Sequence, residues 1–277
     1  MSGIADHWAE GDVYQRILEA MAAAGLSRKG LTIEDLAPVD HFHARGFPAT
    51  RELADRLDFA PGDRLVDIGC GLGGPARYFA DRFGCRVDGV DITGPFVEAG
   101  NRLSALVGLE DRVSITLGDG QALPYPDAAF DGAISQHVTM NIADRDAFFA
   151  EAARVLKQGA RFTITEHGLG TEGDPHHPLP WSEDGGGAYL VTPEESVARL
   201  ADAGFVYIEL RETGAPYLDA YRNAIRLAAS GKRPAFGVHI LLGETAPEKV
   251  VNAARNIEEG RTRPVEILCR SGGGSNQ

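Results

Sequence analysis

Between residues 64 and 167 the chain repeats one pattern, in which short apolar runs are separated by longer amphipathic stretches. The runs are RLVDIG (64–69), RVDGVDI (86–92), VSITLGD (113–119), FDGAISQ (130–136) and ARFTITEH (160–167). PARYFADRFG, GPFVEAGNRLSALVG and DRDAFFAEAARVLKQG lie between them. Strands alternating with amphipathic helices predict βαβ units around a parallel sheet. This pattern sets the fold class as α/β.

The flanks are less regular. Asp12 is placed to cap a helix carrying Val13, Ile17, Leu18 and Met21 and ending at Gly25. A second helix is expected from about Thr50 to the Pro61-Gly62 breaker. The segment PVDHFHARGFPAT between them has no clear period and concentrates His41, Phe42, His43 and Arg45. After residue 167, GLGTEGDPHHPLPWSEDGGG has the composition of a loop, and Thr192, Pro193 and Glu195 mark a capped helix start. A strand at 205–212, two helical segments and a last strand, RPVEILCR, follow before the tail SGGGSNQ, read as disordered.

The 277 residues carry 27 basic and 40 acidic side chains, a net charge of −13. Nucleic acids are held mainly by Lys and Arg on phosphates, so this balance argues against such a partner. With 43% hydrophobic and 24% charged residues the composition is that of a globular protein. Three scattered cysteines fit a reducing compartment. The acidic N-terminus does not resemble a signal peptide, and no apolar stretch reaches the roughly 18 residues of a membrane span. The expectation is a cytoplasmic protein without a membrane partner, monomer or homodimer.

The most informative stretch is Asp67-Ile68-Gly69-Cys70-Gly71-Leu72-Gly73-Gly74-Pro75, where a strand ends in glycines and a helix begins at Pro75. Asp91 closes the next strand, where a carboxylate accepts hydrogen bonds from a ribose diol. Gly69, Gly71 and Gly74 also satisfy G-x-G-x-x-G, so a nicotinamide-dependent oxidoreductase is a rival reading. Against it, Asp67 ahead of the first glycine repels a pyrophosphate and suits an ammonium or sulfonium. Asp119 ends the third strand, in reach of an adenine amino group. Cys70, in the loop without an activating partner, reads as small filler.

VDIGCGLGG, VDGVDIT, GDGQALPYPDAAFDGAISQHVTMNI and RVLKQGARFTITE, in that order and spacing, resemble the successive motifs of the class I S-adenosylmethionine-dependent methyltransferases. LAPVDHFHARGFPATRELA and QHVTMNIAD resemble a narrower bacterial group that includes sarcosine and dimethylglycine N-methyltransferases. The resemblance implies a Rossmann-like seven-stranded fold, with the last strand inserted antiparallel next to the sixth. It implies an N-terminal helical lid and acceptor segment at 1–60, a cofactor core at 61–212 and a helical insertion over the acceptor site at 213–262. The final strand is then 263–270 and the tail 271–277. It places Asp67, Gly69, Gly71 and Gly73 beside the methionine part of S-adenosylmethionine, Asp91 on the ribose and Ile92 on the adenine. Asp119, Gly120 and Gln121 surround the adenine edge, and Gln136 and His137 lie near the reactive methyl.

The implied activity is methyl transfer to a small-molecule acceptor, leaving S-adenosylhomocysteine. An amine of the sarcosine or dimethylglycine type is the first acceptor expected; a thiol, hydroxyl or activated ring carbon is the alternative. A cofactor-binding subunit without turnover is the non-enzymatic rival. His137 and His43 are the candidate catalytic bases, and His41, Arg45, Asn141 and His167 are candidate acceptor-side residues. Arg45 suits a carboxylate. Tyr14, Phe42, Trp181, Tyr189 and Tyr217 read either as a cage for a cationic amine or as packing. His41, His43, His176 and His177 have no spacing resembling a metal cage, and no metal is expected.

Overall fold

The structure, a computed structural model, describes residues 12–43, 45–232 and 234–272. Seven strands form one sheet: β1 (Arg64–Ile68), β2 (Arg86–Asp91), β3 (Val113–Leu117), β4 (Phe130–Gln136), β5 (Leu156–Leu169), β6 (Phe205–Glu212) and β7 (Thr262–Ser271). Their order is 3-2-1-4-5-7-6. β1 to β5 pair in parallel, and β7 runs antiparallel between β5 and β6. The order reverses between β1 and β4, so the connections leaving these two strands diverge and open a crevice at their carboxyl ends.

Ten helices accompany the sheet among the described residues: α1 (Val13–Ala23), α2 (Ile33–Asp40), α3 (Gly46–Ala54), α4 (Gly74–Phe83), α5 (Gly94–Leu106), α6 (Arg145–Val155), α7 (Pro193–Asp202), α8 (Gly214–Ala229), α9 (His239–Leu242) and α10 (Ala246–Glu258). Period-2 alternation divides the core. In β1, Val66 and Ile68 join a cluster with Phe148, Phe149 and Phe162, while Leu65 joins another with Leu53, Phe79 and Leu109. A third cluster packs α1 and α2 onto Leu72, Phe96, Leu103 and Phe236. A fourth gathers Met140, Trp181, Tyr217, Tyr221 and Ala253 above the strand ends. No helix among the described residues is long and apolar enough to cross a membrane.

Several boundaries differ from the sequence expectations. α2 was not among the expected helices, and its last three residues enter the stretch read as without period; Thr32 and Asp35 exchange capping-box bonds at its start, although Pro38 lies inside it. α3 begins at Gly46, ahead of the expected Thr50. The expected helices after Asp12 and Thr192 are present, with both caps formed. Ser271 ends β7 rather than opening the tail, and residues 273–277 of that tail lie outside the described residues.

One buried ion pair ties the N-terminal helices to the sheet. Arg77, 0% exposed, donates to Asp40 Oδ2 and the Leu72 carbonyl, both at 2.7 Å, and to the Gly100 carbonyl and Ser104 Oγ, both at 3.1 Å. Burial alone raises the Asp40 carboxyl's pKa, but the Arg77 guanidinium and His41 outweigh it and hold it below the usual range. Removing the guanidinium strands a buried carboxylate, so Arg77→Met is expected to destabilise the protein by about 3–5 kcal/mol in urea unfolding. Adding Asp40→Asn is expected to restore part of that loss, the non-additive result of a directly coupled pair.

Candidate active site

The crevice is built first by backbone. Gly69 has φ of 78°, and a Cβ there would stand 2.3 Å from Val138 Cγ2, so this position admits only glycine. The chain then turns into α4, where a Cβ on Gly74 would stand 2.4 Å from the Asp40 carbonyl. The loop is locked from the next strand, because Asp91 Oδ2 accepts from Gly71 N at 2.8 Å and Oδ1 from Thr93 N at 2.9 Å. Burial raises the Asp91 carboxyl's pKa against those two bonds.

Asp67 is the electrostatic anomaly. It is 1% exposed, its Oδ2 has no hydrogen-bond partner, and burial together with the Asp91 charge pushes its carboxyl up to about 8. A buried carboxylate oxygen without a partner is costly unless a donor or cation completes it. The group that fits here is an ammonium or sulfonium; a pyrophosphate does not fit.

A cavity of about 390 Å³ runs from this loop to the ends of β4 and β5. Ile92, Asp119, Gly120, Gln121 and Gln136 all line it. Asp119 accepts from Gln121 N at 2.8 Å and from its side-chain amide at 3.1 Å, which fixes both edges. Gln136 Oε1 accepts from Thr50 Oγ1 at 3.1 Å.

Three histidines meet at the far end. His137 leaves β4 with φ of 58°, a left-handed conformation unusual for a side-chain-bearing residue and found at functional turns. Its ring stacks on His43 at 4.9 Å between centroids and lies 5.4 Å from His167. His137 Nε2 is 2.5 Å from the Tyr217 hydroxyl. Burial lowers all three pKa values, with neighbouring rings adding to it for His43 and His137, to about 3 for His43 and His167 and well below the usual value for His137. All three rings are therefore neutral at pH 7. Beneath them, buried Glu166 accepts from Thr139 Oγ1, Arg145 Nη1 and Ser196 Oγ, which anchors the turn after His137.

Other expected residues lie elsewhere. His41 does not line the cavity; it is buried with Nδ1 2.8 Å from Asp40 Oδ1. Arg45 is bonded to Glu52 at 2.5 Å and lies over the Tyr217 ring, outside the lining. Asn141 reaches the cavity, but its amide donates to the Trp181 and Gly187 carbonyls. Gly73 lies behind the loop against Ile115 and Arg77. His176 binds Glu259, and among the described residues no group of three or more His, Cys, Asp or Glu is arranged to hold a metal ion. Phe42, Trp181 and Tyr189 line the cavity, whereas Tyr14 packs under Arg102. Asp40 and Arg77 were not foreseen as parts of the site; the capping signal at Thr32 and Asp35 was the clue to the helix that carries Asp40.

The strand order, the antiparallel β7 and the glycine turn at β1 are those of the Rossmann-like class I methyltransferase fold. Residues 66–164 match the methyltransferase domain family, and this segment carries that domain. Over 132 residues the chain is 36% identical to methyltransferase GfsG of Streptomyces halstedii, covering 48% of each chain. Over 167 residues it is 32% identical to ajmaline N-methyltransferase of Rauvolfia serpentina, covering 53% of this chain and 57% of that one. The chain spans about half the length of the curated relatives it matches. Geranyl diphosphate C-methyltransferase of Streptomyces coelicolor A3(2) superposes with a TM-score of 0.71 at 22% identity, covering 97% of this chain and 96% of that one. A putative sarcosine dimethylglycine methyltransferase from Galdieria sulphuraria shares the fold at a TM-score of 0.65, 18% identity and coverage of 81% and 85%. That likeness reaches the fold only, and the narrower sarcosine group expected from the sequence has no specific support.

Asp67 also sets a pH dependence. Its folded pKa lies above the unfolded value, so between the two the folded state binds the extra proton and stability falls as pH rises. Between pH 7 and 8 the ligand-free protein is expected to lose about 1 kcal/mol of unfolding free energy from this group. Asp67→Asn is expected to flatten that slope in urea titrations at the two pH values.

Proposed function

We propose that the protein transfers a methyl group from S-adenosylmethionine to a small-molecule acceptor held at the histidine end of the cavity. The observation that carries this reading is Asp67 Oδ2, buried without a partner beside the glycine turn. In this reading Asp67 receives the ammonium of the methionine part, with Gly69 and Gly71 presenting backbone against it. Asp91 holds the ribose hydroxyls with the lone pairs that Gly71 and Thr93 leave free. Ile92 packs on the adenine, and Asp119, Gly120 and Gln121 meet its edge. Residues 12–60 and 213–262 enclose the acceptor side.

When bound, the cofactor supplies a methyl group already activated on a sulfonium. The chain's own task is to align acceptor and methyl and to exclude water, and such alignment is worth up to roughly 7–11 kcal/mol of a barrier. Gln136 and His137 stand where the methyl is handed over. A neutral His137, held by Tyr217 and by its strained turn, accepts or positions the acceptor's proton. The sarcosine-type amine would bring a carboxylate, and among the described residues no Lys or Arg lines the cavity.

Titration of the purified protein with S-adenosylhomocysteine and with NADH separates this reading from the oxidoreductase. Tight binding of S-adenosylhomocysteine alone is expected, and binding of NADH alone would overturn the proposal. Asp91→Ala is expected to weaken S-adenosylhomocysteine binding by about 1.5–3 kcal/mol in calorimetry, the range for hydrogen bonds to a charged group. His137→Asn, a residue that tolerates the left-handed turn, is expected to lower kcat more than cofactor affinity.

A further inference from the structure

The two ends of the cavity differ in kind. Asp67, Asp91 and Asp119 all lie at the carboxyl ends of β1, β2 and β3. The opposite end is walled by Met140, Trp181, Tyr221, Ala224, Val238 and Leu242. No Lys or Arg among the described residues lines any part of the cavity, and the remaining lining carboxylate, Asp40, beside the glycine loop, is taken up by Arg77 and His41. A carboxylate or phosphate at the opposite end would be buried without a counter-charge, at a desolvation cost that excludes it.

Four polar atoms of the lining side chains there lack partners: both ring nitrogens of His43, His167 Nδ1 and Trp181 Nε1. His167 is 2% exposed and Trp181 6%, both line the cavity, and His167 Nδ1 and Trp181 Nε1 make no hydrogen bond. Their rings lie 4.7 Å apart between centroids, so both unpartnered atoms belong to one stretch of the cavity wall. The indole N–H only donates, so the group that meets it must carry an acceptor atom; the neutral imidazole nitrogen donates or accepts according to tautomer.

We infer that the methyl acceptor is an uncharged, largely apolar small molecule that presents a hydroxyl or carbonyl oxygen to His167 and Trp181. This rests on the proposed function for the assignment of the other end to the cofactor. Amino acids and phosphorylated amines are the classes it excludes.

The test uses the full chain with three probes: 2-naphthol, naphthalene and dimethylglycine, each titrated with and without saturating S-adenosylhomocysteine. Binding of 2-naphthol is expected to be tighter than that of naphthalene, with no measurable binding of dimethylglycine. His167→Phe and Trp181→Phe, which keep an aromatic ring and remove the polar atom, are each expected to weaken 2-naphthol by roughly three- to tenfold and leave naphthalene unchanged. Dimethylglycine binding as well as 2-naphthol does, binding of neither, or equal affinity of both variants and the parent for 2-naphthol would overturn the inference. Failure of S-adenosylhomocysteine to bind would overturn the proposed function instead, because the comparison of probes without it is read separately.

Discussion

Arg77 and Asp40 form the contact on which the rest of the site depends. One guanidinium reaches α2 through Asp40, the glycine loop through the Leu72 carbonyl, and α5 through Gly100 and Ser104. Such a pair is strong because no water screens it, and it is tolerable only because nearly every lone pair and proton in it is used. Its geometric effect is larger than its energy. His41, Phe42 and His43 follow Asp40 directly, so holding Asp40 against α4 delivers His43 to the stack on His137.

The cavity therefore carries a built-in polarity. Its sheet side is ringed by carboxylates, one of them pushed up far enough to be protonated in the absence of a cation. Its far side holds three imidazoles kept neutral chiefly by their enclosure. Groups of opposite tendency at the two ends of one enclosed space are the usual sign of a site that binds two different molecules and brings them together.

Much of this was legible in the chain. The five apolar runs became β1 to β5, and the loop from Asp67 to Pro75 and the position of Asp91 were readable because strand periodicity and glycine spacing are local properties. Gln136 and His137 were legible only through the resemblance to the methyltransferase motifs, and both line the cavity. What escaped was set by contacts between distant segments. His41 and Arg45 sit in the same short stretch as His43, yet one turns inward to Asp40 and the other outward to Glu52, and no local pattern distinguishes the three. The pairing of Trp181 with His167, and of Tyr217 with His137, exists only once the loop after β5 and the helix after β6 have folded back.

The antiparallel β7 has a consequence for how this protein can change. α8, α9 and α10, which close the cavity with Ala224, Leu242 and Val250, hang between β6 and β7, two strands bonded side by side in the sheet. The ends of that excursion are fixed by the sheet itself, and the entropy of closing a loop grows only as the logarithm of its length. Residues can be added to or taken from this lobe with little penalty to the strands beneath. The lobe that lines one end of the cavity is thus the part whose length the fold constrains least, and Asp67, Asp91 and Asp119 stand at strand ends, where a single inserted residue would displace them.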